Sequence, residues 1–182
     1  MSAEPSDDEL MRRAGNGDRL AFADLVRRHL PRVGAIAGRM LASAAEAEEV
    51  GQEAFLRCWQ KAPGWAPSGG GGQTALFTTW LHRIVVNLCI DRRRRVAPVP
   101  LDEVPEQADD APHALDRLAT AETVRRVRAA IGDLPDRQRA ALVLCYYEGM
   151  SNAEAAAVLE MSVGAVESLL VRARRTLRKT LA

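Results

Sequence analysis

The chain has 182 residues, 47% hydrophobic and 27% charged, with a formal net charge of +1. That length holds one ordinary domain or two small ones, and the apolar fraction excludes wholesale disorder. The near-zero net charge excludes little, because the charges are unevenly distributed along the chain.

The start is acidic (Glu4, Asp7, Asp8, Glu9) and lacks the basic-then-apolar pattern of a signal peptide. No apolar run approaches the ~20 residues that span a bilayer. The sequence therefore predicts a cytoplasmic protein. Periodicity predicts helices at 7–15, 19–41, 44–61, 76–95, 118–132, 136–148, 152–159 and 163–180. The expected fold class is all-α: two small helical domains joined by a flexible acidic linker. Cys58, Cys89 and Cys145 are odd in number, far apart and set in apolar runs, so reduced thiols are expected. His29, His82 and His113 are equally scattered. Neither a metal site nor a cofactor is expected.

In the helix at 44–61, Ala47, Val50, Ala54 and Cys58 form a core stripe. Glu49, Gln52, Glu53, Leu56 and Gln60 share another face, which suits either solvent or a basic partner helix. Residues 64–73 (GWAPSGGGGQ) read as a flexible loop. The run Gly69, Gly70, Gly71 and Gly72 lacks the Lys-Ser/Thr that would make it a phosphate loop. No nucleophile–base pair appears either, so no enzyme and no small-molecule substrate are expected.

The helix at 76–95 has Leu81, Ile84, Val85 and Leu88 as its expected buried stripe. It ends in Arg92, Arg93, Arg94 and Arg95. Those arginines suit the negative end of the helix dipole. Five of the chain's eight aromatic residues (Phe55, Trp59, Trp65, Phe77, Trp80) lie between residues 55 and 80. Rings beside a basic helix suit single-stranded DNA, where bases stack and arginines neutralise phosphates. Phe55, Trp59 and Trp80 read as core, and Trp65, in the glycine-rich loop, as the exposed ring. The stretch 96–116 carries four prolines and six acids with no base, the composition of a solvated linker.

Beyond the linker, Pro135 suits the first turn of a helix. Leu142, Cys145 and Tyr146 are placed to cover the helix pair beyond them. Ser151 with Glu154 three residues on is a capping box. Ala155, Ala156 and Leu159 face inward, Glu160 and Met161 make a tight turn, and Ser162 caps a second helix. Val163, Val166, Leu170, Ala173 and Leu177 form its buried stripe. Glu167, Ser168, Arg172, Arg174, Arg175, Arg178 and Lys179 lie opposite. Two short capped helices with a basic outer face suit a helix-turn-helix in a DNA major groove, or an ordinary helical hairpin with a solvated face.

Several segments carry a resemblance together. They are Asn16, Gly17, Asp18, Arg19, Leu20, Ala21, Phe22; Ala47, Glu48, Glu49, Val50, Gly51, Gln52, Glu53, Ala54, Phe55; Phe77, Thr78, Thr79, Trp80, Leu81 with Ile84 and Asn87; Leu134, Pro135; and the run from Ser162 to Ser168 followed by Arg172, Ala173, Arg174. In this order they resemble the extracytoplasmic-function sigma factors of bacterial RNA polymerase.

The resemblance implies sigma region 2 at 1–97, a linker at 98–118 and sigma region 4 at 119–182. It implies core RNA polymerase docking on Glu49, Gln52, Glu53 and Leu56. Trp65, Phe77, Thr78, Trp80, Arg83, Asn87, Arg92 and Arg93 would hold the single-stranded −10 promoter element. Ser162, Gly164, Ala165, Glu167, Ser168, Leu169, Arg172, Arg174 and Arg175 would read the duplex −35 element. It further implies an anti-sigma partner, of a kind often membrane-embedded, and a stress or envelope response. Glu167 and Leu169 stand where many relatives carry bases, and the loop 67–73 is longer and richer in glycine than usual. A stand-alone helix-turn-helix regulator is the alternative, though it has no need of the first lobe.

Overall fold

The computed structural model describes residues 4–65, 77–95 and 114–182, and of residues 114–121 the backbone only. The loop 67–73 and the part of the linker at 98–113 lie outside the described residues. Four helices build the first lobe. Helix α1 (Asp7–Gly15) is capped by Ser6 Oγ, which accepts from the Glu9 amide at 3.2 Å. Helix α2 (Arg19–Met40) is capped by Asp18, whose carboxylate accepts from the Leu20 and Ala21 amides, both at 3.0 Å. Helix α3 (Ala44–Lys61) starts at Ser43 and α4 is Phe77–Arg95. Each side-chain cap satisfies an amide that the helix itself leaves free. Gly15 is required by close approach: a Cβ there would sit 2.3 Å from the Ala62 carbonyl oxygen.

The second lobe holds α5 (Ala114–Gly132), α6 (Asp136–Leu142), a π-helical segment (Val143–Tyr147), α7 (Asn152–Leu159) and α8 (Val163–Leu181). Helix α5 begins at Ala114, inside the stretch expected to be linker. Pro135 is the N-cap of α6, one residue before the expected first-turn position. The single helix expected at 136–148 changes ladder at Val143, where the Glu148 amide donates to the Val143 carbonyl five residues back. The capping box at Ser151 and Glu154 is complete in both directions. Glu160 closes α7 in the left-handed region at φ 53°, which makes the tight turn expected there.

Helix α2 packs against α1, α3 and α4, and α8 packs against α5, α6 and α7. The expected α3 stripe of Ala47, Val50, Ala54 and Cys58 is buried. Burial pushes the Cys58 and Cys89 thiols up to about 12, so neither is ionised at neutral pH, and Cys145 is half-buried. On α4, Leu81 and Val85 are buried as expected, but Ile84 and Leu88 are only half-buried; Phe77, His82, Val86 and Cys89 are the other buried positions. Helix α4 meets α2 and α3 of its own lobe and α7 of the second. On α8, Val166, Leu170 and Ala173 are buried, whereas Val163 is exposed in the first turn, beyond the reach of the packed helices. Val158 of α7 is buried and Leu159 half-buried. Among the described residues no helix is long and apolar enough to cross a membrane.

Candidate nucleic-acid interface

Helix α8 advances 100° per residue, which sorts its polar side chains by angle. With Val166, Leu170 and Ala173 facing the core, the directly opposite ridge is Gly164, Ser168, Arg172, Arg175 and Lys179, all exposed. Ser162 Oγ caps the helix by accepting from the Ala165 amide at 3.2 Å, and Ser168 Oγ donates to the Gly164 carbonyl at 2.9 Å. Glu167 and Arg174 lie on one flank instead. Arg174 stands over the Tyr146 ring, 5.2 Å from its centroid, and Glu167 accepts from Asn152 Nδ2 at 3.4 Å. Leu169 is on the other flank and half-buried. The nine residues expected at this face thus divide into a basic outward ridge and two flanks that contact their own lobe. An open groove lined by Cys145, Tyr146, Met150, Leu170, Val171 and Arg174 runs beside the ridge.

At the other candidate surface, Trp65 is half-buried, not the open ring expected of a loop residue. Its ring meets Trp80 at 4.8 Å and Phe77 at 6.0 Å between centroids. Phe77, expected to meet DNA, is 1% exposed and packs against the His29 ring at 5.3 Å. As the first residue of α4 it is turned toward α2, so it supports the Trp65–Trp80 pair from beneath. Thr78 and Trp80 are half-buried and Asn87 is exposed. On the same helix Arg92 pairs with Glu49 of α3. Two residues expected at separate sites, one for DNA and one for polymerase, are therefore partners. On α3, Gln52 and Leu56 are exposed, and Glu53 holds Arg57 at 2.8 Å.

Other arginines of the first lobe reach the second. Arg83 Nη1 donates to Glu160 at 2.8 Å and its Nη2 to the Ala157 carbonyl at 2.9 Å. Arg93 donates to Asp136 at 2.6 Å. Arg32 donates to the Glu148 carboxylate at 3.0 Å and to its carbonyl at 2.9 Å. Arg39 reaches the same carboxylate at 3.4 Å while standing over the Tyr147 ring at 4.8 Å.

One arginine crosses the other way. Arg139 of α6 is 1% exposed and donates to three backbone carbonyls: Met40 at 2.8 Å, Ile131 at 2.9 Å and Leu134 at 3.3 Å. Burial, with Arg93 nearby, pulls its pKa down to about 10, so it stays charged at neutral pH. Nothing in the sequence signals these partners. Arg32 and Glu148 are 116 residues apart, and no local spacing relates them.

Known proteins share this organisation. Residues 25–98 match the family model "Sigma-70 region 2", and residues 124–177 match "Sigma-70, region 4". The chain is 36% identical over 178 residues to the ECF RNA polymerase sigma factor SigM of Mycobacterium tuberculosis, covering 98% of this chain and 86% of the relative. It is 31% identical to the ECF RNA polymerase sigma-E factor of Escherichia coli, covering 97% and 95%. Among solved structures it is similar to CnrH in complex with the cytosolic domain of CnrY, with a TM-score of 0.71, 29% identity and 97% of each chain covered.

Proposed function

The chain belongs to the extracytoplasmic-function sigma factors of RNA polymerase, and from that premise we propose how its residues divide the work of directing promoter-specific initiation. It is an initiation subunit that binds core polymerase and promoter DNA, and it has no catalysis of its own. Residues 1–97 act as region 2, 98–118 as the linker and 119–182 as region 4. The two separate family matches, on either side of the acidic stretch, support that division.

The basic ridge of α8 is the single observation that best supports the DNA reading. Side chains near the start of a helix in the major groove reach base edges, and those further along meet phosphates. In that geometry Gly164 and Ser168 face bases, and Arg172 and Arg175 face the −35 backbone. Glu167, on the flank, can accept from cytosine N4 at the groove edge. Tyr146 and Val171, 55% and 62% exposed, offer the apolar surface that would rest on the polymerase flap. In region 2, Trp65 and Trp80 form the ring pair for an unstacked −10 base, with Thr78 and Asn87 beside it and Arg83, Arg92 and Arg93 for the strand's phosphates. Base–aromatic stacking contributes about 1–3 kcal/mol per base. Glu49, Gln52, Glu53 and Leu56 dock on core polymerase.

An anti-sigma factor holds the protein in check. The likeness to CnrH, solved in complex with the cytosolic domain of CnrY, supports such a partner. A stress or envelope signal, a membrane-embedded partner and a cytoplasmic site of action belong to the same reading.

Reconstitution tests the assignment. The purified chain should associate with core polymerase and start transcripts at promoters selected with that holoenzyme. Glu53→Ala should weaken the association while leaving −35 duplex binding intact. Tight, specific operator binding with no initiation would sink the reading.

A further inference from the structure

Helix α8 carries one acid, Glu167, against five bases: Arg172, Arg174, Arg175, Arg178 and Lys179. A carboxylate beside the phosphate backbone weakens the general attraction those bases supply. No ordinary structural use accounts for it. Glu167 is exposed, and among the described residues it makes no ion pair. The positions three and four residues to either side are Val163, Gly164, Leu170 and Val171, none of them basic. Arg174, two turns on, lies over the Tyr146 ring instead. Glu167 is also the fifth residue of the helix, past the first turn where an acid caps free amides or complements the dipole.

Glu167 is held from the other helix of the pair. Asn152, the first residue of α7, donates from Nδ2 to its Oε1 at 3.4 Å. Asn152 is oriented in turn. Its Oδ1 accepts from the Cys145 thiol at 3.8 Å, which leaves its amide nitrogen for Glu167. All three side chains line the open groove beside the outward ridge. A chain of donors and acceptors thus runs from the π-helical segment through α7 to α8. It ends on a carboxylate whose Oε2 has no hydrogen bond among the described residues.

Base chemistry decides what such an oxygen can read. In the major groove, guanine shows the O6 and N7 acceptors, and thymine shows the O4 acceptor beside a methyl group. Adenine offers its N6 amino group but sets the N7 acceptor next to it. Cytosine alone offers a donor, its N4 amino group, with no acceptor beside it. A carboxylate therefore attracts cytosine and repels guanine and thymine. A guanidinium does the reverse, pairing with guanine O6 and N7.

We propose that Glu167, positioned by Asn152 and Cys145, selects cytosine and excludes guanine at one position of the −35 element. This deepens the reading of α8 as the −35 helix and rests on it. Asn152 acts through Glu167 and is a positioning residue. The acid lowers affinity for every sequence and offsets that loss only where cytosine lies opposite, so specificity comes from rejection as much as from attraction.

The test uses holoenzyme reconstituted from core polymerase and the full chain. It transcribes a promoter library randomised across the −35 element, and the transcribed templates are sequenced. On one strand, at one position, the wild type should enrich cytosine over guanine about tenfold, roughly 1.4 kcal/mol. Glu167→Arg should invert that preference to guanine at the same position, with the wild-type bases kept at the others. Glu167→Gln, which both donates and accepts, should move it to adenine. Asn152→Ala should lower the cytosine enrichment to about threefold, the effect of losing one modest hydrogen bond, with no new base taking its place. Circular dichroism establishes that each variant folds.

If Glu167→Arg enriches the same bases as the wild type throughout, Glu167 reads no base and the proposal is overturned, while the −35 reading of α8 stands. A loss of preference spread evenly over the element overturns it equally, because Glu167 would then support the helix without reading from it. If Asn152→Ala keeps the full cytosine enrichment, the positioning by Asn152 is overturned. If the wild type itself selects no −35 sequence, the assignment of α8 fails and takes the proposal with it.

Discussion

At the scale of single residues, angle on a helix matters more than residue type. Arg172, Arg174 and Arg175 are indistinguishable as sequence, yet Arg172 and Arg175 share the outward ridge of α8 while Arg174 lies over Tyr146. Each phosphate neutralised on a duplex contributes about 0.9 to the slope of log affinity against log salt. Replacing Arg172 and Arg175 by alanine together should flatten that slope by about 1.8 for −35 duplex binding. Arg174→Ala should leave the slope near wild type. Filter binding across a salt series reads both, and equal effects would mean that the ridge is misplaced.

His82 supports a prediction of a different kind. It is 1% exposed, its Nε2 has no hydrogen-bond partner among the described residues, and burial, with Arg32 and His29 adding to it, pulls its pKa down from 6.5 to about 4. The unfolded chain therefore binds this proton more readily than the folded one. Stability from the neutral ring is complete above pH 6.5 and is lost as pH falls through about 4. The total is on the order of 3 kcal/mol for a depression of this size. Urea titrations at pH 7 and pH 4.5 should show His82→Phe losing less stability between them than the wild type. Parallel losses would place the acid sensitivity elsewhere.

At the scale of elements, the helices were legible because their signals are local. Ser6, Asp18, Ser43, Ser151 and Ser162 each cap the helix that starts beside them, within three residues. The α3 stripe follows from a 3.6-residue period alone. Failures occurred where a distant element decides the outcome. The α4 stripe broadens to His82, Val86 and Cys89 because α4 packs against α2, α3 and α7 at once. The π-helical turn at Val143 carries no compositional mark. Trp65 was expected to be exposed from its glycine-rich surroundings, but rings 12 and 15 positions away, at Phe77 and Trp80, take it in. The candidate site was legible as a set of residue types and illegible as a set of partners. Arg83, Arg92 and Arg93 read as free cations in sequence; the structure gives each a carboxylate.

At the scale of the whole molecule, the linker's length sets what the two lobes can do at once. If the lobes read elements about 85 Å apart and each lobe is roughly 30 Å wide, about 55 Å of gap must be bridged. Residues 96–113 separate α4 from α5. At up to about 3.5 Å per residue they reach roughly 63 Å, which is just enough. Deleting residues 101–110 leaves eight, with a reach of about 28 Å. The shortened chain should keep its helical dichroism and still bind core polymerase, because α3 is untouched. It should lose initiation at two-element promoters by about tenfold or more, the loss expected when one of two linked contacts is forbidden by geometry. Replacing the same ten residues with glycine and serine restores length without charge and should restore initiation. Rescue would assign the effect to reach. Failure of the rescue would assign it to the acidic side chains, and undiminished initiation by the shortened chain would mean that the two lobes never hold both elements together.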